Sequence, residues 1–372
     1  MSPNQCHQYI PRFVLKNFTE ERLLKEGLHV QKPRPIKTYR VLERRIVLEN
    51  INTAYGTQSM YRDIPEDEWK RFETQLGRVD SSVAMFVRQI LSESQELMLT
   101  RRSLEDLKKF LIITMFKNEC QRKDYAEEGH DMLSRASIQR HMQFSGINVV
   151  RRVWFENLKW ILQTSADDIH NEFKKSGAIE SPGEALATHE GPVHVMELMD
   201  IASTMTMTMC IWEAQEGSEF ILASDSFGCH ESFMGVIFRH IYVVSPKFAV
   251  VLMKNKYDMS LRGMFTRKSW FENFDIDPDV VYSKRDAKAP EDYSPGDMFK
   301  FQRIVIPRNA VWLVNCMHLN GGETSISYRS NPSMYRSLVY YDKLKFTLFR
   351  NGYNYSVLKR KLVAEMNRTH RS

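Results

Sequence analysis

Apolar residues recur along this chain with two different periods, and the change from one to the other organises it. Trp69, Phe72, Leu76, Val79, Val83, Phe86, Val87 and Ile90 keep a helical repeat through about six turns. Asp63-Ile-Pro-Glu-Asp-Glu68 precedes them and places acids in the first turn, where the helix dipole favours them. A second helix is predicted after Thr100 or Ser103, with Asp106 in the capping-box position and Leu104, Leu107, Leu111 and Met115 along one line. Residues 126–200 continue mostly helical, with Trp154, Leu158, Ile161 and Leu162 on one face. At Thr204 the period becomes two. Thr204-Met-Thr-Met-Thr-Met209 predicts a strand with Met205, Met207, Met209 and Ile211 on one side and threonines on the other.

Glu216-Gly217-Ser218 then predicts a hairpin leading into a short buried strand, Phe220-Ile-Leu-Ala223. Arg239 to Val244 and Lys247 to Met253 read as two strands joined at Ser245-Pro246, and Phe301 to Ile306 as another. Pro307 opens a helix carrying Val311, Val314 and Asn315 and closed by Gly321-Gly322. Asn331-Pro332 caps a further helix, and Tyr355, Leu358, Leu362 and Met366 line the last one. Near the start, Pro11 suits a short helix that turns Phe13, Val14 and Phe18 inward. Residues 19–63 read as an arm with a hairpin, and residues 255–298 as a charged surface excursion.

This pattern predicts an α+β protein, with a largely helical N-terminal half and an antiparallel sheet with flanking helices in the C-terminal half. The 372 residues are read as one large domain, 1–372. Ser176-Gly177 and Ser181-Pro-Gly183 allow a subdivision into a helical part, 1–180, and a sheet-containing part, 190–372.

Composition narrows the setting. Five scattered cysteines without a C-x-x-C pair point to reduced thiols rather than a disulfide framework. The polar start lacks the apolar segment of a signal peptide, and no apolar run approaches membrane length, so a soluble cytoplasmic protein is expected, with the nucleus open. The net charge of +6 is local: between Lys343 and Ser372 stand eight Lys and Arg against one acid, Glu365. Such a tail makes nucleic acid an available partner, although a solvated charged end reads the same way.

The candidate chemistry comes from polar residues at apolar places. Glu73 and Asp80 interrupt the apolar face of the first long helix, roughly 10 Å apart along its axis, and buried carboxylates need a partner. Asn118 and Arg122 extend the line of the second helix, so antiparallel packing would bring Arg122 to one of these acids. Asp225 follows Ser224 at the carboxyl end of the Phe220 strand, where sheets often hold ligands, and Ser-Asp is equally a turn-forming pair. His189 and His194 lack metal-helix spacing and read as surface residues, while the methionine stripe reads as core. A phosphate-cradling glycine loop, a nucleophile elbow and an H-E-x-x-H motif are all missing from the sequence.

His7-Gln-Tyr-Ile-Pro-Arg-Phe-Val-Leu-Lys-Asn-Phe18 is close to a His-x-x-Pro-x-x-x-Leu-x-x-Phe signature, with slightly looser spacing. With it the chain resembles the domain-of-unknown-function 4238 family of bacteria and fungi. The strand ending in Ser224-Asp225 and the hairpin turning at Ser245-Pro246 resemble the same family, as does Asn315 in a closing helix. Relatives follow Ser-Asp with Asn-Pro where Ser226-Phe227 stands here. The resemblance implies a pair of acids on the first long helix, with Glu usual at the place of Asp80. It also implies an arginine on the second helix where Lys117-Asn118 stands. It brings no established activity.

His7, Glu73, Arg122, Ser224, Asp225 and Asn315 are therefore the candidate site residues. In a hydrolase or nuclease-like reading, Asp225 and Glu73 ligate a divalent metal or act as an acid-base pair. His7 is then the general base, and Arg122 meets the developing charge. The alternative is a non-catalytic interaction protein with a buried polar network and a basic C-terminal docking tail. A concave, open pocket shared by His7 and Asp225 would favour the enzyme.

Overall fold

A computed structural model describes residues 6–19, 35–58, 60–92, 96–118, 132–224, 226–233, 236–254, 269–271, 274, 281–284, 294–321, 324–348 and 353–369. Strand β1 (Cys6–Gln8) leads into the short helix α1 (Arg12–Leu15), which buries Val14 and Leu15, and a 3-10 turn then buries Phe18. The arm after it holds the expected hairpin, β2 (Pro35–Arg40) paired with β3 (Arg45–Asn50), and β4 (Gly56–Gln58) returns to pair with β1.

Helix α2 (Glu66–Leu91) follows, with Glu66, Asp67 and Glu68 in its first turn and its apolar line facing the core. Strand β5 (Glu96–Thr100) connects it to α3 (Arg101–Lys117), whose Ser103 amide donates to the capping Thr100 hydroxyl. Helices α4 (Met132–Ser145), α5 (Val150–Gln163), α6 (Ala166–Lys175), α7 (Pro182–Thr188) and α8 (Val195–Thr206) complete the first half.

The second half is built on β6 (Thr208–Ala214), β7 (Leu222–Ala223), β8 (His230–Phe233), β9 (Val236–Val243), β10 (Phe248–Met253), β11 (Val281–Lys284) and β12 (Met298–Ile306). Helix α9 (Arg308–Gly321), strand β13 (Ser325–Ser327) and helices α10 (Asn331–Leu348) and α11 (Ser356–Thr369) close the chain. The large sheet runs β11-β12-β6-β10-β9-β8, with β5 also on β12; a second sheet runs β3-β2-β13-β7. The main apolar core is continuous from Tyr9 to Leu362.

The fold is α+β, as the change of period implies, and several details depart from the expected layout. The N-terminal half is helical only loosely, because β1 to β5 lie in it. The Met-Thr stretch is not strand from Thr204: helix α8 runs to Thr206, and the Thr204 hydroxyl donates to the Asp200 carbonyl one turn back. Strand β6 begins at Thr208 and buries residues of both faces, and β10 and β12 occupy its two edges.

With no edge of β6 free, the Phe220 segment cannot form a hairpin on it. Gly217 turns the chain at φ 81°, and β7 instead pairs with β13 at the rim of the other sheet. One pairing in the large sheet, β6 with β12, is parallel rather than antiparallel. His194 is buried rather than on the surface: it caps α8 and lies 3.2 Å from Ser137 Oγ and 3.1 Å from a Glu197 oxygen. Arg122, Asp225 and most of the 255–298 excursion lie outside the described residues.

Candidate functional site

The position of His7 is set by a close backbone approach. In the β1–β4 pair His7 stands opposite Thr57, and Gly56 packs so tightly that a Cβ there would lie 2.3 Å from Cys6 Sγ. Gln8, next in the strand, donates from its amide to the carbonyls of Ile51 (2.5 Å) and Ala54 (3.0 Å). The His7 ring meets two aromatic rings edge-on, Tyr61 at 4.9 Å and Trp69 at 5.1 Å between centroids, and these two stack on each other with planes 6° apart. Burial lowers the imidazole below its ordinary value, with Glu73 opposing and Lys117 reinforcing the shift.

Glu73 is turned inward, as its place on the α2 face predicts, and its cation is Lys117 from the last turn of α3. Lys117 Nζ donates to Glu73 Oε1 at 2.7 Å, with the lysine side chain 8% exposed and the glutamate 31%. The buried Tyr61 hydroxyl donates to the same oxygen, so Oε2 has no hydrogen-bond partner among the described residues. Burial alone would raise this carboxyl. The Lys117 charge and hydrogen bond, with the Tyr61 hydroxyl, outweigh burial and hold it below the ordinary carboxylate range.

Asp80, two turns on, is half-buried. Burial pushes its carboxyl up to about 6, against the pull of Lys117 and with the help of Glu73.

These groups share one cleft of about 450 Å³, whose lining includes His7, Glu73, Asp80 and Lys117. Two facing stripes build it. Helix α2 contributes Glu73, Gly77, Asp80 and Ala84, and α3 contributes Phe110, Thr114 and Lys117, each stripe at helical spacing. The small residues on α2 leave the space open, and a Cβ added at Gly77 would meet nothing within 4 Å. The N-terminal segment forms the remaining wall with Tyr9, Arg12, Phe13 and Lys16.

Ser224 stands beside this cleft rather than in its lining. Its carbonyl accepts from Asn118 Nδ2 at 2.8 Å, and Asn118 directly follows Lys117. Its amide donates to the Ser325 carbonyl at 3.0 Å, and Ser226 Oγ accepts from the Ala223 amide, which closes the turn. Asn315 is fully buried elsewhere. It accepts from the Ile221 amide and donates to the Glu219 carbonyl and to Ser337 Oγ, fastening the segment before β7 to α9 and α10. Among the described residues no three of the His, Cys, Asp and Glu side chains gather as a metal site.

Tyr61, Lys117, Arg12 and Lys16 were not among the sequence candidates. Lys117 had a signal: it continues Phe110 and Thr114 at helical spacing, one stripe over from the Leu107–Leu111–Met115 line. Tyr61 had none, because it precedes any periodic segment.

No curated protein and no solved structure matches the chain. The family described as "Protein of unknown function (DUF4238)" matches residues 7–289, a stretch that begins at His7 and takes in Glu73, Asp80, Lys117 and Ser224. Asn315 and the basic C-terminal helix fall beyond it. The chain belongs to this family.

Proposed function

We propose that the cleft between α2, α3 and the His7 segment is the catalytic centre of a nuclease-like hydrolase. A single observation carries the reading: His7, Glu73, Asp80 and Lys117, from three separated segments, line one open cleft. Their environments push two titratable groups in opposite directions, an arrangement suited to acid-base work near neutral pH. His7, kept neutral, takes a proton from water, and the water oxygen attacks the ester centre. The Lys117 ammonium, fixed by Glu73, faces the negative charge that develops. Asp80 in its protonated form delivers a proton to the leaving oxygen, and both groups reset by exchange with solvent. A divalent metal, if Asp225 and Glu73 hold one, would supply a further positive charge at the same place.

The test compares wild type, His7→Ala and Asp80→Asn for hydrolysis of a phosphodiester panel, with and without divalent metal, and for melting temperature. Turnover reduced by 10²-fold or more with stability retained is the expected result, at about the size of an acid-base contribution. Stability lost with no hydrolysis in wild type would return the Tyr61–Glu73–Lys117 network to a purely structural role, the interaction-protein reading.

A further inference from the structure

The mouth of the cleft carries two cations of a different kind from Lys117. Arg12 and Lys16 stand about one helical turn apart on the N-terminal wall, and both are exposed and line the cleft. Elsewhere in the molecule basic side chains commonly meet an acid: Arg151 meets Asp63, Arg152 meets Glu68, Arg239 meets Glu231 and Arg329 meets Glu219. Neither Arg12 nor Lys16 has a carboxylate partner among the described residues. Two like charges this close repel each other, so an anion between them is favourable.

Arg12 is also aimed. Its Nε–H donates to Gln8 Oε1 at 2.8 Å, and the Gln8 amide nitrogen is pinned in turn by the carbonyls of Ile51 and Ala54. Those two carbonyls demand a donor, which fixes Gln8 with its oxygen toward Arg12. With Nε engaged, the two terminal nitrogens of the guanidinium remain for a ligand, and a planar fork of this kind matches two oxygens of a phosphate. Behind the cations the wall is apolar, with Phe13, Leu76 and Phe110 in the lining. The volume of about 450 Å³ suits a ligand of nucleotide size.

We propose that Arg12 and Lys16 form a phosphate-anchoring subsite, and that the cleft takes a substrate of nucleotide size with a phosphate at the mouth and a planar apolar group against Phe13. This rests on the reading of the cleft as a catalytic centre, and it names which end of the substrate is held where. The phosphate can belong to a free nucleotide or to the end of a strand, since both present the same oxygens.

Titration with a nucleoside 5′-monophosphate and with a 5′-phosphorylated single-stranded oligonucleotide distinguishes these two sources. The proteins to compare are wild type, Arg12→Ala/Lys16→Ala, Arg12→Lys and His7→Ala. Wild type binds at least one probe, with affinity falling as salt is raised. The double variant loses about tenfold or more in affinity and raises KM for any hydrolysed substrate by a similar factor. Arg12→Lys keeps the charge but not the fork and falls between. His7→Ala still binds while turnover drops.

Because Arg12 and Lys16 are exposed, unchanged melting temperatures are expected and show that the variants fold. Hydrolysis in wild type with the double variant unaffected overturns this subsite and leaves the hydrolase reading standing. Binding lost in the double variant with no hydrolysis by wild type keeps the subsite and overturns the hydrolase. Wild type that binds neither probe overturns the subsite as well.

Discussion

Glu73 takes hydrogen bonds from Tyr61 and Lys117 on a single carboxylate oxygen, in a place where solvent reaches the glutamate but hardly the lysine. Removing Lys117 alone would leave that carboxylate half-buried with the tyrosine as its remaining donor. Lys117→Met is therefore expected to cost about 3 kcal/mol in urea unfolding, and Lys117→Met with Glu73→Gln to recover much of it.

Asp80 works the other way. Its folded-state value of about 6 is raised above the ordinary 3.8, so the folded chain holds this proton more tightly than the unfolded one. The contribution is fully present below about 3.8 and is lost as pH rises through about 6. Asp80→Asn cannot ionise, so its stability relative to wild type should grow between pH 4 and pH 7 and reach about 1 kcal/mol above that, solvent screening included. A variant that is more stable and less active would mark Asp80 as kept for chemistry. An equal difference at pH 4 and pH 8 would remove the assignment.

The inward turn of Glu73 and Asp80 was legible because polar residues broke an apolar helical line. The cation was legible only through the family resemblance, which marks Lys117-Asn118. The apolar line along α3 leads instead to Asn118 and Arg122, and Arg122 lies outside the described residues, while the stripe that faces Glu73 is Phe110–Thr114–Lys117, offset by part of a turn. A helix with apolar residues on several faces does not announce which of them meets its neighbour.

Among the elements, the β1–β4 pair carries the most consequence for its size. Gly56→Ala would set a methyl carbon 2.3 Å from Cys6 Sγ and 3.2 Å from the Thr53 carbonyl, so the Cys6 side chain or β1 itself must give way, and a shift of β1 would take His7 with it. The expected cost is about 1–3 kcal/mol, with loss of whatever chemistry His7 supplies. Adding Cys6→Ala should recover part of both, read as a double-mutant cycle; strict additivity would mean that the close approach does not hold His7 in place.

Helix periodicity in α2 was readable over its whole length, because packing and local preference agree there. At Thr204–Thr206 they disagree. The Met-Thr alternation suits a strand, but the back-bond to Asp200 and the placement of Thr204 Oγ1 3.3 Å from His240 Nε2 hold these residues in the helix. The partner of β7 was beyond local reading, since β13 lies about a hundred residues later and no pattern within Phe220–Ala223 distinguishes two sheets.

Charge distribution over the entire molecule gives the C-terminal segment a different character from a free tail. Tyr355, Leu358 and Leu362 are buried, and the Tyr355 hydroxyl donates to the Leu319 carbonyl at 2.6 Å. Part of the basic excess is spent internally: Lys345 and Lys359 both pair with Asp342, and the segment's one acid, Glu365, pairs with Lys37 of β2. Helix α11 thus ties the last helices to the small sheet, and its basic residues divide into fasteners and solvent-facing charges.

Two variants separate these roles. Ending the chain after residue 352 removes three buried side chains, at about 1.5–3 kcal/mol each, and leaves Asp342 without Lys359 and Lys37 without Glu365. Against a net stability of about 5–15 kcal/mol, this shortened chain is expected to lose cooperative thermal unfolding or to melt far lower. Arg360→Gln with Arg368→Gln touches only exposed positions and should leave the melting temperature within about a degree of wild type. If that pair also leaves the salt-dependent retention of single-stranded nucleic acid unchanged while the cleft variants abolish it, phosphate recognition belongs to the cleft. Retention lost with Arg360 and Arg368 alone would assign it to the helix instead.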